Sequence, residues 1–199
     1  MSLKVIVPKK KRLKTKKKLK IKKRFKIKKE SKSKGKLWLY LSIIFILMLT
    51  LYSIRKVSSV EIDDVHPSIP CEQELIKDSD ILWVVPLFQN SSISNYKKWC
   101  QNILFLNKTL GLHGVYHTHK EFKENIDENY LEEGMNKFKD CFGYSPVLFK
   151  PPQLSISKEN RELLKSKDII VKSRANQVFH KVYHCSDRGL IPNKIISLF

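Results

Sequence analysis

Two consecutive aspartates, Asp63 and Asp64, and two histidines four positions apart, His113 and His117, are the residues best suited to chemistry in this 199-residue chain. A divalent cation that activates water needs about three protein ligands and an open position. Asp64 offers a carboxylate. His113 and His117 offer imidazoles that converge either on one helical turn or in an extended loop opened by Gly114. If Asp64 is engaged by the ion, Asp63 beside it is free to accept a proton from bound water. HxxxH is a weak pattern by itself, and two surface or core histidines are the plain alternative. His119 adds a further imidazole, so the His-Thr-His run leaves two registers open for the second nitrogen ligand.

These residues need elements to bring them together. Between residues 57 and 199, short apolar runs alternate with longer amphipathic ones. Strands are predicted at 60–63, 81–88, 111–117 (strand and loop), 146–152, 168–173 and 180–186; helices are predicted at 71–78, 96–108, 129–143 and 157–167. Gly143 ends the third helix and Ser157 caps the fourth. Such alternation predicts an α/β fold with a parallel sheet or barrel, in which ligands sit at the carboxyl ends of strands. Asp63 and Asp64, His113 and His117, Lys150 with Pro151 and Pro152, and His184 all fall where strands are predicted to end. Trp83 and Trp99 read as core, His66 as a loop residue before Pro67, His180 as the exposed side of a strand, and Glu132 and Glu133 as solvated helix face.

The order EIDDVHP, GLHGVYHTH, FKPPQ, at intervals of about 50 and about 35 residues, resembles the successive motifs of the polysaccharide deacetylase family of metal-dependent carbohydrate esterases. It is similar in particular to a divergent branch whose motifs read IDDV, LHGxxH and FxPP. The resemblance covers Val60 to His184. It implies a distorted or incomplete (β/α) barrel, with Asp63 as general base and Asp64, His113 and His117 as ligands of a zinc ion, or of cobalt or manganese. It further implies His184 as the acid that protonates the leaving amine, with Asp187 as its orienting partner, and Lys150, Pro151 and Pro152 as substrate-facing. The substrate would be a glycan carrying N-acetyl or O-acetyl groups. The chain departs from the family in having Lys150 where an arginine usually precedes the prolines, in placing Cys185 beside His184, and in having only six predicted strands. The alternative is a catalytically inactive glycan-binding or interaction module on the same scaffold.

The formal net charge of +20 is confined to the first 56 residues, since residues 1–36 hold 19 Lys and Arg against one acid, and 57–199 hold 18 of each sign. A basic nucleic-acid-binding domain is therefore not expected. The polybasic tail 1–36 is predicted to be disordered and to lie against anionic cytoplasmic lipid. Residues 37–54 carry no charge and span about 27 Å as a helix, so they read as an uncleaved transmembrane anchor. The positive-inside rule then predicts a single-pass type II protein with residues 57–199 in the secretory pathway lumen or outside the cell. Cys71, Cys100, Cys141 and Cys185 and the glycosylation sequons at Asn90 and Asn107 all lie on that side. Two disulfides are predicted there, in any of three pairings.

Overall fold

The computed structural model describes residues 36–172 and 174–198, so the predicted tail 1–36 lies, apart from Lys36, outside the described residues. The described residues divide into two units, one ending at Thr50 and the other beginning at Leu51. Helix α1, Lys36–Val57, is 22 residues long and by length and composition apolar enough to cross a membrane. Two of its hydroxyls bond within the helix: Ser42 Oγ donates to Trp38 O and Thr50 Oγ1 to Ile46 O, each at 2.9 Å. Such back-bonding lets polar side chains sit on an apolar helix at little cost.

The second unit is α/β. Its elements are β1 (Val60–Val65), α2 (Gln73–Asp78), β2 (Ile81–Val84), β3 (Leu87–Phe88), β4 (Ser91–Ser92), α3 (Lys97–Phe105), β5 (Thr109–Leu112), α4 (Glu128–Phe142), β6 (Leu148–Phe149), α5 (Lys158–Ser166), β7 (Ile170–Val171), α6 (Arg174–Phe179), β8 (Lys181–His184) and α7 (Asn193–Ile196). Six of the strands form one parallel sheet in the order β7-β6-β5-β2-β1-β8. Five strands wind in sequence order and the sixth returns to the outer side of the first, which is the path of a barrel. Among the described residues no pairing joins β7 to β8, so the barrel is incomplete.

The strands are short because chain chemistry stops them early. The predicted strand 81–88 ends at Val84, since Pro86 has no N–H to donate to a ladder. Leu87 and Phe88 instead pair with Ser91 and Ser92 in a hairpin. Gln89 and Asn90 form its tip with φ of 47° and 62°, as the twist of a two-residue hairpin loop requires. Helix α6 stands in a stretch for which no helix was predicted. The ends of α4 and α5 follow the sequence signals: Gly143 has φ 82° after α4, and Ser157 Oγ accepts from Asn160 N at 3.1 Å before α5.

The core is continuous through the sheet, with Ile62, Leu82, Val84, Leu112 and Phe149 fully buried between helices. One charged layer lies within it. Trp83, completely buried, donates from Nε1 to Glu61 Oε2 at 2.8 Å. Gly111 makes room for that ring, because a Cβ there would lie 2.3 Å from Trp83 Cζ3. Of the three possible disulfide pairings, the structure has Cys71–Cys185, joining the segment after β1 to the end of β8, and Cys100–Cys141, joining α3 to α4.

Candidate metal centre

Adjacent residues of a regular strand point to opposite faces, so Asp63 and Asp64 should not share a site. The structure solves this with an irregularity in the β1–β2 register between Ile62 and Val65. Asp64 there takes a left-handed conformation, φ 65°, at a typical cost of about 1–3 kcal/mol. Aspartate tolerates that region better than most residues. The bulge turns the Asp64 carboxylate back to the side that Asp63 faces.

His113 follows β5 directly, and His117 lies four residues on, in a loop and not on a helical turn, with φ 56°. The Nε2 atoms of His113 and His117 lie 3.3 Å and 2.8 Å from Asp64 Oδ1. One ligand atom from each of the three residues falls within 4.8 Å of the others. His119, the competing imidazole, is exposed and outside this group.

The donor set fits a cation. His113 Nδ1 lies 2.8 Å from the carbonyl oxygen of Lys150, which can only accept, so Nδ1 carries a proton and Nε2 is the ring nitrogen turned to Asp64, the one available to a metal ion. Asp64 Oδ1 is buried and lacks a hydrogen-bond donor of acceptable geometry. Lone pairs facing each other around a buried carboxylate oxygen are the chemistry that a divalent ion completes. Burial alone would raise the Asp64 carboxyl, but the imidazoles of His113, His117 and His184 gathered around it hold it well below the usual carboxylate range. Burial lowers His117, yet the Asp64 carboxylate more than offsets this, and the net direction is upward.

The loop that carries His117 is fixed by Glu121. Its carboxylate accepts from three successive backbone N–H groups, of Val115 (3.0 Å), Tyr116 (2.7 Å) and His117 (3.2 Å), and from Tyr130 Oη at 2.5 Å. Gly114, φ 72°, allows the approach, since a Cβ there would lie 2.2 Å from Glu121 Oε2. In the sequence, Glu121 sits among His119, Lys120 and Lys123 and looks like a solvated acid; nothing local marks it.

Asp63 is 2% exposed and Lys150 is fully buried. Lys150 Nζ donates to Asp63 Oδ1 at 2.7 Å and reaches Glu61 Oε2 at 3.4 Å. The side chain predicted to face substrate is thus committed beneath the site, where it holds the proposed base. Pro151 and Pro152 are buried as well. His184 is the register partner of Asp63 on β8, with Nδ1 3.9 Å from Asp63 Oδ2 and 3.5 Å from Asp64 Oδ2. Burial lowers His184, but Asp64 and Asp63 raise it further than burial and Lys150 depress it.

Asp187 does not orient this ring. It accepts from Asn193 N at 2.6 Å, while Asn193 brackets the His184 backbone by accepting from its N–H and donating to its carbonyl. His180 turns inward rather than out, with Nδ1 2.8 Å from Ser59 Oγ and 3.8 Å from Glu61 Oε1. Glu133 accepts from Tyr116 Oη at 3.0 Å instead of facing solvent alone. His66 is buried and pushed down to about 4 by that burial, against a smaller opposing effect of the Ser91 backbone.

No protein-family model matches the sequence, and no curated protein does. Solved structures are similar at the level of fold. A CE4-family pseudoenzyme from Bacillus anthracis aligns with a TM-score of 0.41 and 10% identity over 52% of this chain and 44% of its own, so the chain spans less than half the length of that protein. A family 4 carbohydrate esterase from Streptomyces lividans in complex with acetate aligns with a TM-score of 0.44 and 10% identity, covering 57% of this chain and 60% of that one. For a polysaccharide deacetylase from Bacillus cereus the TM-score is 0.45 and the identity 12%, over 64% and 78% of the two chains.

Proposed function

We propose that this protein is a membrane-anchored, metal-dependent deacetylase that hydrolyses N-acetyl, or O-acetyl, groups of a glycan. Residues 37–54 would anchor it and residues 57–199 would act in the lumen of the secretory pathway or outside the cell. The observation that carries the reading is the convergence of Asp64, His113 and His117 around an unsatisfied carboxylate oxygen, with Asp63 and His184 facing the same point from β1 and β8.

Asp64, His113 and His117 would hold a zinc, cobalt or manganese ion, which when bound supplies Lewis-acid polarisation of an acyl oxygen and acidifies water. Lys150 holds Asp63 by Oδ1 and leaves Oδ2 toward His184. Asp63 Oδ2 takes the proton of the attacking water as its oxygen bonds to the acyl carbon. His184, whose proton is held by the carboxylates around it, gives that proton to the departing nitrogen as the C–N bond breaks. The products are acetate and a free amine. The Cys71–Cys185 disulfide lies next to the His184 backbone and limits where this ring can move.

The full chain in detergent, assayed for bound metal and for acetate released from an N-acetylated oligosaccharide, tests the reading. About one divalent ion per chain is expected, lost in His113→Ala and His117→Ala and kept in His119→Ala. Asp63→Asn should keep the ion and lower the rate by about 10² or more, whereas Asp64→Asn should lose both. A protein that binds no metal and gains no stability from zinc, cobalt or manganese would overturn the proposal. Bound metal without acetate release from any N- or O-acetylated glycan would instead favour the inactive binding module.

A further inference from the structure

Beside the loop that follows Lys150 lies a cleft of about 550 Å³ whose lining includes Pro151, Ser155 and four cationic side chains: Lys123, Arg161, Lys172 and Arg174. No carboxylate lines it. Some cations of this domain are paired, Lys77 with Glu74, Lys167 with Glu128 and Glu132, Lys158 with Glu162, and Lys150 with Asp63 and Glu61. None of the four in the cleft has an ion pair among the described residues. Residues 57–199 are electroneutral, so this excess is local and does not reflect a generally basic domain. Like charges gathered in a concave surface raise its potential and concentrate anions there.

The position of the cleft says which anion. Lys172 follows β7 and Pro151 comes two residues after the end of β6. In a parallel sheet these carboxyl ends open on the same side as those of β1 and β5, which carry Asp64 and His113. Lys150 O accepts from His113 Nδ1, and Pro151, the next residue, forms part of the cleft wall. A chain of sugars crossing the metal centre toward the open β7 edge would run into the four cations.

We propose that the glycan is acidic, and that Lys123, Arg161, Lys172 and Arg174 bind a carboxylate or sulfate on a sugar near the acetylated one. This deepens the deacetylase reading and rests on it. Arginine recognises such planar or tetrahedral oxyanions through paired N–H donors.

The test measures binding of three labelled tetrasaccharides to the full chain in neutral detergent. One alternates N-acetylglucosamine with glucuronate, one is O-sulfated N-acetylglucosamine, and one is unmodified N-acetylglucosamine. Because residues 1–36 are also basic, the wild type is compared with R161E/K172E and with the milder R161Q/K172Q, both of which retain the tail. In the wild type at least one acidic probe should bind about tenfold or more tightly than the neutral one, the preference falling with salt. In R161E/K172E that ratio should fall to about one, and in R161Q/K172Q to an intermediate value, with metal content unchanged. The carboxylated and sulfated arms distinguish the two anion types. An acidic preference that survives in both variants overturns the proposal, as does a wild type without preference. Phosphatidylserine vesicles form the last arm: cleft-dependent binding to vesicles, with none to the oligosaccharides, would reassign the cleft to lipid. If cleft-dependent binding holds while no probe releases acetate, the anion site stands and the deacetylase reading alone falls.

Discussion

Lys150 Nζ donates to Asp63 Oδ1 at 2.7 Å, and the same ammonium lies 3.4 Å from Glu61 Oε2. One buried cation therefore serves two carboxylates two residues apart on β1, where the period of the strand places both on one face. Trp83 Nε1 and Asn176 Nδ2 complete the acceptors of Glu61, at 2.8 Å and 2.6 Å.

Removing that cation should be costly. Lys150→Met leaves Asp63 and Glu61 buried without their shared partner, and about 3–5 kcal/mol of stability should be lost, read as a lower denaturation midpoint. Adding Glu61→Gln should recover part of it, because one of the two uncompensated charges is then gone. A Lys150→Met protein as stable as wild type would show that the ammonium is not engaged as described.

Glu121 should control metal affinity without touching the ion. Glu121→Gln gives up the charge that gathers the N–H groups of Val115, Tyr116 and His117, and affinity for zinc should fall about 10–100-fold, as when an outer partner of a ligand is removed. Titration against a competing chelator measures this. Unchanged affinity would mean that the loop holds His117 without its carboxylate anchor.

Acid should release the ion early. A bound metal needs His117 neutral, and Asp64 raises this imidazole above its ordinary value despite burial. Its proton therefore competes at a higher pH than that of a free histidine. Without metal, the protonated His117 beside Asp64 contributes stability in acid that is lost as pH rises through its raised folded-state value. With metal the dependence is opposite: the gain in melting temperature from zinc should be full at about pH 8 and largely lost by about pH 5.5. A gain independent of pH over that range would exclude His117 as a ligand.

Orientation in the membrane is tested by protease added to sealed vesicles. The 19 basic residues before residues 37–54, against two immediately after them, predict that residues 1–36 are digested and 57–199 protected. Digestion of the C-terminal domain would place it in the cytosol and remove the compartment in which the two disulfides form.

The sequence made the strand ends legible, and with them the places where Asp63, Asp64, His113, His117 and His184 come together, because alternating apolar and amphipathic runs are local signals. The support for those residues was not legible, because each part depends on distant register. Asp64 reaches the site through a bulge defined against β2. Nothing in VEID marks Glu61 as buried, and its partners Trp83, Lys150 and Asn176 come from three other segments. His117 rather than His119 lies beside Asp64, in a loop whose N–H contacts with Glu121 end at His117. Helix α6 is too short to show periodicity, and its residues 174–179 connect β7 to β8 in the chain.

The pairing of β8 with β1 also sets an order of assembly. Asp63 is synthesised well before His184, yet the two are register partners, and Cys71 must await Cys185, 114 residues later. Until the last strand arrives, the outer edge of β1 has no neighbour, and Asp63 and Asp64 lack the imidazole that faces them. A chain without β8 would present the Asp64, His113 and His117 group without the residue that completes the proposed reaction, so that reaction requires β8 in place and the Cys71–Cys185 disulfide closed.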